Sequence, residues 1–272
     1  MAYFTIITPT WNQAEYIEDT IKSVLEQRFE DFEYYIIDNC SDDGTEDIVR
    51  SYAEKDKRIK YIREPDKGQA EAINKGLRAA SGEVVCWINS DDFYFDRYVL
   101  ENVAAYFKRY PKAGVVAGDA WYCDREKNLT EYNESDRGVG KKMLRRWYYI
   151  VQPAVFWKNH GVLLDESYTY AFDWKFFIEL FGEEKVLWAH EPYAVYRMYE
   201  DNKTGLDNAK RKKEIWRLQQ ELGDSRLNVA WCRYVYKAYE KAEMKNKPGA
   251  KKRIDFMSRM LFHLSGRRIA SF

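Results

Sequence analysis

The stretch Glu83 to Asp92 constrains this chain more than any other. Val84 to Ile88 is an unbroken apolar run, the pattern of a strand covered on both faces within a parallel sheet. It stops abruptly at Asn89, Ser90 and two adjacent carboxylates, Asp91 and Asp92. Open α/β sheets bind their ligands outside the carboxyl ends of their strands. Adjacent carboxylates repel unless a cation offsets them, and Mg²⁺ or Mn²⁺ takes oxygen ligands that it commonly shares with substrate phosphates. The same two residues would equally suit the cap of a following helix. Their surroundings decide between the two.

Upstream, strand-like and helix-like segments alternate four times. Tyr3 to Thr8 reads as a first strand, broken by Pro9-Thr10-Trp11-Asn12, and Ala14 to Gln27 carries Ile17, Ile21, Val24 and Leu25 at helical spacing. Phe32 to Ile37 is a second strand ending in Asp38, and Ile59 to Ile62 a third; Ala70 to Ala80 is a helix that stops at Ser81-Gly82. Short connections of this kind build a Rossmann-like, mostly parallel sheet flanked by helices. The turn after the first strand lacks the glycines of a dinucleotide fingerprint, which argues against a nicotinamide cofactor. Polar strand ends at 8–12, 38–43 and 89–92 are expected along one edge.

Four segments in order carry a family resemblance: Ile7 to Asn12, Ile37 to Thr45, Asp66 to Gly76 and Trp87 to Asp92. Together they resemble the family-2 glycosyltransferases with their A-type nucleotide-sugar-binding fold, over roughly residues 3–205. The resemblance implies that Thr8, Pro9, Thr10, Trp11 and Asp38 hold the nucleotide base, with the Trp11 ring stacking on it. A carboxylate such as Asp38 is a matching acceptor for a uracil N3–H. Asp66, Gln69 and Asp91 are further donor-site candidates, and Asp43 looks like a helix cap. Asp92 is the implied ligand of an Mn²⁺ or Mg²⁺ ion that acts as a Lewis acid on the departing diphosphate. Phe93 and Tyr94 read as helix-packing aromatics.

The pattern weakens downstream. Tyr98 to Tyr110 reads as an amphipathic helix and Ala113 to Ala120 as a strand; residues 121–150 are aromatic and charged. Gln152 to Trp157 resembles the family's strand beside the acceptor, and Gln152 and Trp174 are candidate acceptor contacts. Asp173 matches the position of the family's catalytic base, although Phe172 stands where Glu is commoner. Its aromatic neighbours suggest a carboxyl that is hard to ionise, and it would also suit the cap of a helix over 174–181. Glu191 to Thr204 resembles the family's closing strand and loop, with Arg197 and Lys203 as candidate diphosphate contacts. Tyr199 stands where many members have His, and a phenol with its pKa near 10 is a poor metal ligand at neutral pH.

Composition bounds the rest. With 46% hydrophobic residues among 272, the chain can bury a substantial core. It opens with no basic-then-apolar segment, holds no 18-residue apolar run, and scatters its four cysteines, so a reduced cytoplasmic setting is expected. The zero net charge hides an asymmetry: residues 1–202 carry 26 Lys+Arg against 37 Asp+Glu, and residues 203–272 carry 18 against 7. The expected organisation is a catalytic domain over 1–205, its nucleotide-sugar half 1–95 and its acceptor half 96–205, with a basic helical extension over 206–272. Within 247–272, Ile254, Met257, Leu261 and Leu264 align on one stripe among lysines and arginines. Such a helix either lies on an anionic membrane or packs on its own domain. The expected function is an inverting, metal-dependent transfer of a sugar, hexosyl or N-acetylhexosaminyl, from a nucleotide donor, UDP-linked in the first place. The acceptor is a saccharide or a lipid-linked glycan, and nucleic acid is not an expected partner. A nucleotidyltransferase lacks its Gly-rich, basic phosphate loop here, and a non-catalytic nucleotide-sugar-binding protein would not need both acids.

Overall fold

The computed structural model describes residues 2–135, 144–145, 148, 150–200 and 209–223. These fall into two units, one of residues 2–135 and 150–200 and one of 144–145, 148 and 209–223. The second contains the helix α6 (Ala209–Glu221). The first contains everything else described below.

Its middle is set by two strands buried along their whole length, β1 (Phe4–Thr10) and β4 (Val84–Trp87). Strands without an exposed face need neighbours on both sides and helices above and below. β1 pairs in parallel with β4 and with β2 (Phe32–Asp38), which pairs in parallel with β3 (Ile59–Arg63). The intervening helices are α1 (Ile17–Leu25), α2 (Thr45–Ala53) and α3 (Gln69–Ala79). α1 buries Ile17, Ile21 and Val24, the stripe its spacing predicts. α3 lies so close to β1 that a Cβ on Gly76 would stand 2.7 Å from the Ile7 side chain. The register aligns the strand ends: Thr10 lies beside Asp38, Asp38 beside Arg63, and Ile7 beside Trp87. Every connection leaving these ends therefore opens on one edge, as the polar strand ends suggest.

Beyond β4 antiparallel pairings join the parallel ones. β8 (Val155–Lys158) is antiparallel to both β4 and β6 (Val115–Cys123). β6 pairs in parallel with the long β9 (Val186–Arg197) and antiparallel with β7 (Leu129–Asn133), a strand that the aromatic, charged composition of 121–150 conceals. The edge strand is β5 (Phe93–Tyr94), antiparallel to β9. This strand lies against α1, where the Tyr94 amide donates to Ser23 Oγ at 3.1 Å, while the Phe93 ring lies under Arg197 and the Tyr94 ring stacks on Phe156. α4 (Val99–Arg109) covers the sheet through Val99, Leu100, Val103 and Phe107.

The helix α5 (Phe172–Glu183) buries Phe172, Trp174, Phe176, Phe177, Leu180 and Phe181, and two of its phenylalanines pack on the end of β4. Phe177 stacks on Trp87 with centroids 5.4 Å apart and planes 11° apart, while Phe176 and Trp157 meet the same ring edge-on. Each such pair contributes about 0.5–1.5 kcal/mol beyond its buried area. Asp173 precedes these two phenylalanines by three and four positions, hence on their face of the helix.

Candidate active site

The loops at the strand ends are tied to one another. The Asn12 side chain donates to Asp42 Oδ1 and accepts from the Asp42 amide, and the Asn12 amide donates to Ser41 Oγ. Asn12 holds this position with a left-handed φ of 50°. Asp43 accepts from the Ala14 amide and from the amide and hydroxyl of Thr45, so it joins the first loop to the start of α2; the N-cap of that helix is Gly44 and no side chain caps it, which corrects the cap reading of Asp43.

Most of the expected base-holding side chains turn inward. Thr8 is buried with its hydroxyl 2.9 Å from that of Tyr34, and Pro9 and Thr10 are buried too. Only Trp11, 61% exposed, presents a face to a ligand. Asp38 is wholly buried: Oδ1 accepts from the Ser41 amide and hydroxyl, and Oδ2 accepts from the Tyr61 hydroxyl at 2.5 Å. As folded, Asp38 organises the second and third loops, and the sequence reading of a free acceptor for a uracil N3–H gives way to that role. Tyr61 escaped sequence reading because only the β2–β3 register puts it there.

The third loop reaches the carboxylate pair. Asp66 accepts from the Gly68 amide, its own amide donates to Asn39 Oδ1, and burial raises its carboxyl. Gln69 Nε2 donates to Asn89 Oδ1 at 2.8 Å, and Asn89 Nδ2 donates to Asp92 Oδ2 at 3.1 Å.

Asp91 and Asp92 lie where the β5–β9 register places them. Phe93 faces Val195, so continuing that register brings the pair to Tyr196 and Arg197. Asp92 is 1% exposed, and Arg197 N–H donates to its Oδ1 at 3.0 Å. With its other oxygen on Asn89, Asp92 is sealed from a ligand, which corrects its sequence assignment as a direct metal ligand. Asp91 is half-buried, and its Oδ2 accepts from the Tyr199 hydroxyl at 3.0 Å. Burial raises both carboxyls, and the charge of Asp91 raises Asp92 further. Burial followed by the Asp91 charge likewise raises the Tyr199 phenol, so it stays a donor.

Arg197 is not available to a diphosphate, a second correction. Its side chain is 3% exposed and fully engaged: Nε donates to the Asp91 carbonyl at 3.0 Å, one terminal nitrogen to the Arg125 carbonyl at 2.9 Å, and the other to Asp19 Oδ2 at 2.8 Å. It also lies over the rings of Tyr16 and Phe93. Lys203 lies outside the described residues, as does 247–272.

A divalent cation fits this donor set. The groups at the edge are oxygens, the ligand type a hard cation takes, and Asp91 is the less buried carboxylate of the pair. Among the described residues no group of three His, Cys, Asp or Glu side chains could hold an ion unaided. Such an ion would complete its shell with phosphate oxygens and water, the usual habit of Mg²⁺.

Asp173 sits in the first turn of α5, half-buried, one residue inside a helix that begins at Phe172 and is capped by no side chain. The cap reading of Asp173 therefore falls. The helix is held from outside the turn: Lys175 Nζ meets Asp165 Oδ2 at 2.6 Å, and Asn74 of α3 bonds Leu164 through both its amide atoms. Burial alone would raise the Asp165 carboxyl, but hydrogen bonds from Lys175 and Ser167 outweigh it and hold it at about 2. Gln152 Nε2 donates to the Trp87 carbonyl at 2.6 Å, which fastens this half of the molecule to the end of β4. Gln152 and Trp174 are 7% and 8% exposed, so they back the site and do not face an acceptor as the sequence suggested.

The described edge thus holds a carboxylate pair at the end of β4, and Asp173 stands on the helix whose phenylalanines pack on that strand. The family model "Glycosyl transferase family 2" matches residues 5–166, and the chain belongs to that family. A putative teichuronic acid biosynthesis glycosyltransferase, TuaG, from Bacillus subtilis is 45% identical over 89 residues, 32% of this chain and 35% of that protein. An uncharacterized glycosyltransferase from Haemophilus influenzae is 25% identical over 243 residues, 88% of this chain and 95% of its own. The fold matches S. aureus TarS 1–349 in complex with UDP-GlcNAc, with a TM-score of 0.67 at 19% identity over 85% of this chain and 69% of that one. It also matches the mannosyltransferase PcManGT from Pyrobaculum calidifontis in complex with GDP-Man and Mn²⁺, with a TM-score of 0.63 at 18% identity, over 96% and 80%. At these identities the two structures bear on the fold alone.

Proposed function

We propose that this chain transfers a hexosyl or N-acetylhexosaminyl group from a nucleoside-diphosphate sugar, UDP-linked in the first place, to a hydroxyl of a saccharide or lipid-linked glycan. The observation that carries this reading is the half-buried Asp91 at the end of β4, with the exposed Trp11 on the neighbouring loop and Asp173 on the helix packed against that same strand. Trp11 stacks on the base. Asp91 would hold Mn²⁺ or Mg²⁺, with Asp92 ordering the turn behind it. When bound, the ion withdraws electrons from the diphosphate and offsets its charge.

Asp173 is the general base. Its carboxylate takes the proton of the acceptor hydroxyl as the oxygen attacks the anomeric carbon. The bond from that carbon to the diphosphate oxygen breaks on the opposite face, the nucleoside diphosphate leaves with the electron pair, and the configuration inverts. A carboxylate on a rigid, aromatic-packed helix keeps its geometry through the step, and a positioned base of this kind is worth roughly 10²–10⁴ in rate. The resemblance to TuaG, a putative teichuronic acid biosynthesis glycosyltransferase, supports a saccharide acceptor.

A thermal-shift panel of UDP, GDP and CDP, each with and without Mn²⁺, tests the donor site. UDP with Mn²⁺ is expected to raise the melting temperature most and to quench Trp11 fluorescence, with the quench absent in Trp11→Phe. A panel in which no nucleoside diphosphate shifts melting would overturn the reading.

A further inference from the structure

Asp91 is gripped from two directions by the end of β9. Arg197 Nε fixes its main-chain carbonyl at 3.0 Å, and the Tyr199 hydroxyl donates to its Oδ2 at 3.0 Å. The phenol itself is held in place: its ring packs on that of Tyr16 with centroids 5.0 Å apart, and the Gln13 side chain lies beside its hydroxyl. Tyr16 is 5% exposed and also bears the Arg197 guanidinium 4.7 Å from its centroid, so the whole stack is part of the folded body. A carboxylate without such a contact can turn about χ2, which is a broad torsion. Tyr199 removes that freedom by committing one oxygen.

We propose that Tyr199 is a positioning residue that locks the Asp91 carboxylate through Oδ2 and so leaves Oδ1 as the single oxygen offered to a divalent cation. This rests on the assignment of Asp91 as the metal-holding acid. The hydroxyl donates to Asp91, and a dication would meet a carboxylate already turned to receive it. Groups that orient a metal ligand in this way are typically worth 10–100-fold in metal affinity.

The test is Tyr199→Phe, which deletes the hydroxyl and keeps the ring against Tyr16. Mn²⁺ binding is read by electron paramagnetic resonance in the presence of saturating UDP, with uridine binding and the ligand-free melting temperature as controls. The expected result is Mn²⁺ affinity weakened roughly 10-fold or more, with both controls unchanged. Mn²⁺ affinity within about twofold of the native chain would overturn the positioning role while the metal assignment stands. Failure of the native chain to bind Mn²⁺ with UDP would overturn both. A large fall in melting temperature would mark the hydroxyl as a structural contact and also count against the proposal.

Discussion

Replacing Arg197 with Met separates two roles that its position near the carboxylate pair makes easy to confuse. Met keeps the length and apolar body of the side chain and removes three donors. The Asp91 and Arg125 carbonyls lose their guanidinium partner, and Asp19 loses one of its two cations. Removing one partner of a buried ion pair costs about 3–5 kcal/mol. Asp19 is 27% exposed and keeps Lys127 at 2.9 Å, which draws the figure toward the lower end. About 3 kcal/mol is therefore expected, equivalent to a melting temperature lower by roughly 6–12 °C for a unit of this size. The assay is thermal unfolding without any ligand, followed by uridine and UDP titrations well below the transition. A diphosphate-binding arginine behaves in the opposite way: melting would be unchanged, uridine binding kept and UDP binding lost. That outcome would refute the clamp.

Three more expectations follow from the structure and the charge pattern. Asp173→Asn is expected to keep UDP affinity and lower turnover at saturating acceptor by roughly 10²-fold or more, checked by steady-state kinetics. Asp165, held at about 2, stabilises the fold above the unfolded carboxyl pKa near 3.9, and that contribution is lost as pH falls from about 4 through 2; discounted for its partial exposure it is worth about 1 kcal/mol, and Asp165→Asn should flatten the acid limb of a stability–pH curve. The 18 Lys+Arg against 7 Asp+Glu of residues 203–272 lead us to propose attachment to an anionic bilayer, each cation near the surface contributing on the order of 1 kcal/mol; co-sedimentation with anionic liposomes should weaken at high salt and disappear on truncation after Asn246, and equal binding to neutral liposomes would argue for a packed helix instead.

How far the site was legible depends on what each residue's role rests on. The strand ends were readable because their signal is local: an apolar run that stops at polar residues places its own terminus, and parallel register then aligns Thr10, Asp38 and Arg63. Asp173 was named from its segment's resemblance to the family, and the structure adds that it stands on the face of α5 that carries Phe176 and Phe177. Arg197 was not readable, since its meaning comes from Asp19, which is 178 positions away. Spacing alone shows a cation near two acids and a diphosphate site; it cannot show that the guanidinium is buried. Asp38 failed similarly, because the Tyr61 hydroxyl that occupies it arrives through sheet register. β7 was invisible because Leu129 to Asn133 forms an edge pairing with three exposed residues and no apolar run.

The way the carboxylate pair is held bears on what it can bind. Every contact described for Asp91 and Asp92 carboxylate oxygens comes from a neutral donor: the Arg197 main-chain N–H, the Asn89 amide and the Tyr199 phenol. The nearest guanidinium is directed past both carboxylates to two carbonyls and to Asp19. Neutral donors fix the oxygens in place without cancelling their charge. A lysine or arginine paired directly with Asp91 would have made a more stable ligand-free protein and a weaker site for a dication, because the ion would first have to displace it. The arrangement seen here gives up that stability and keeps the geometry. Binding energy from a cation and a diphosphate together can then return to the fold by mass action, so the native chain should gain more melting temperature from Mn²⁺ and UDP combined than from the two added separately.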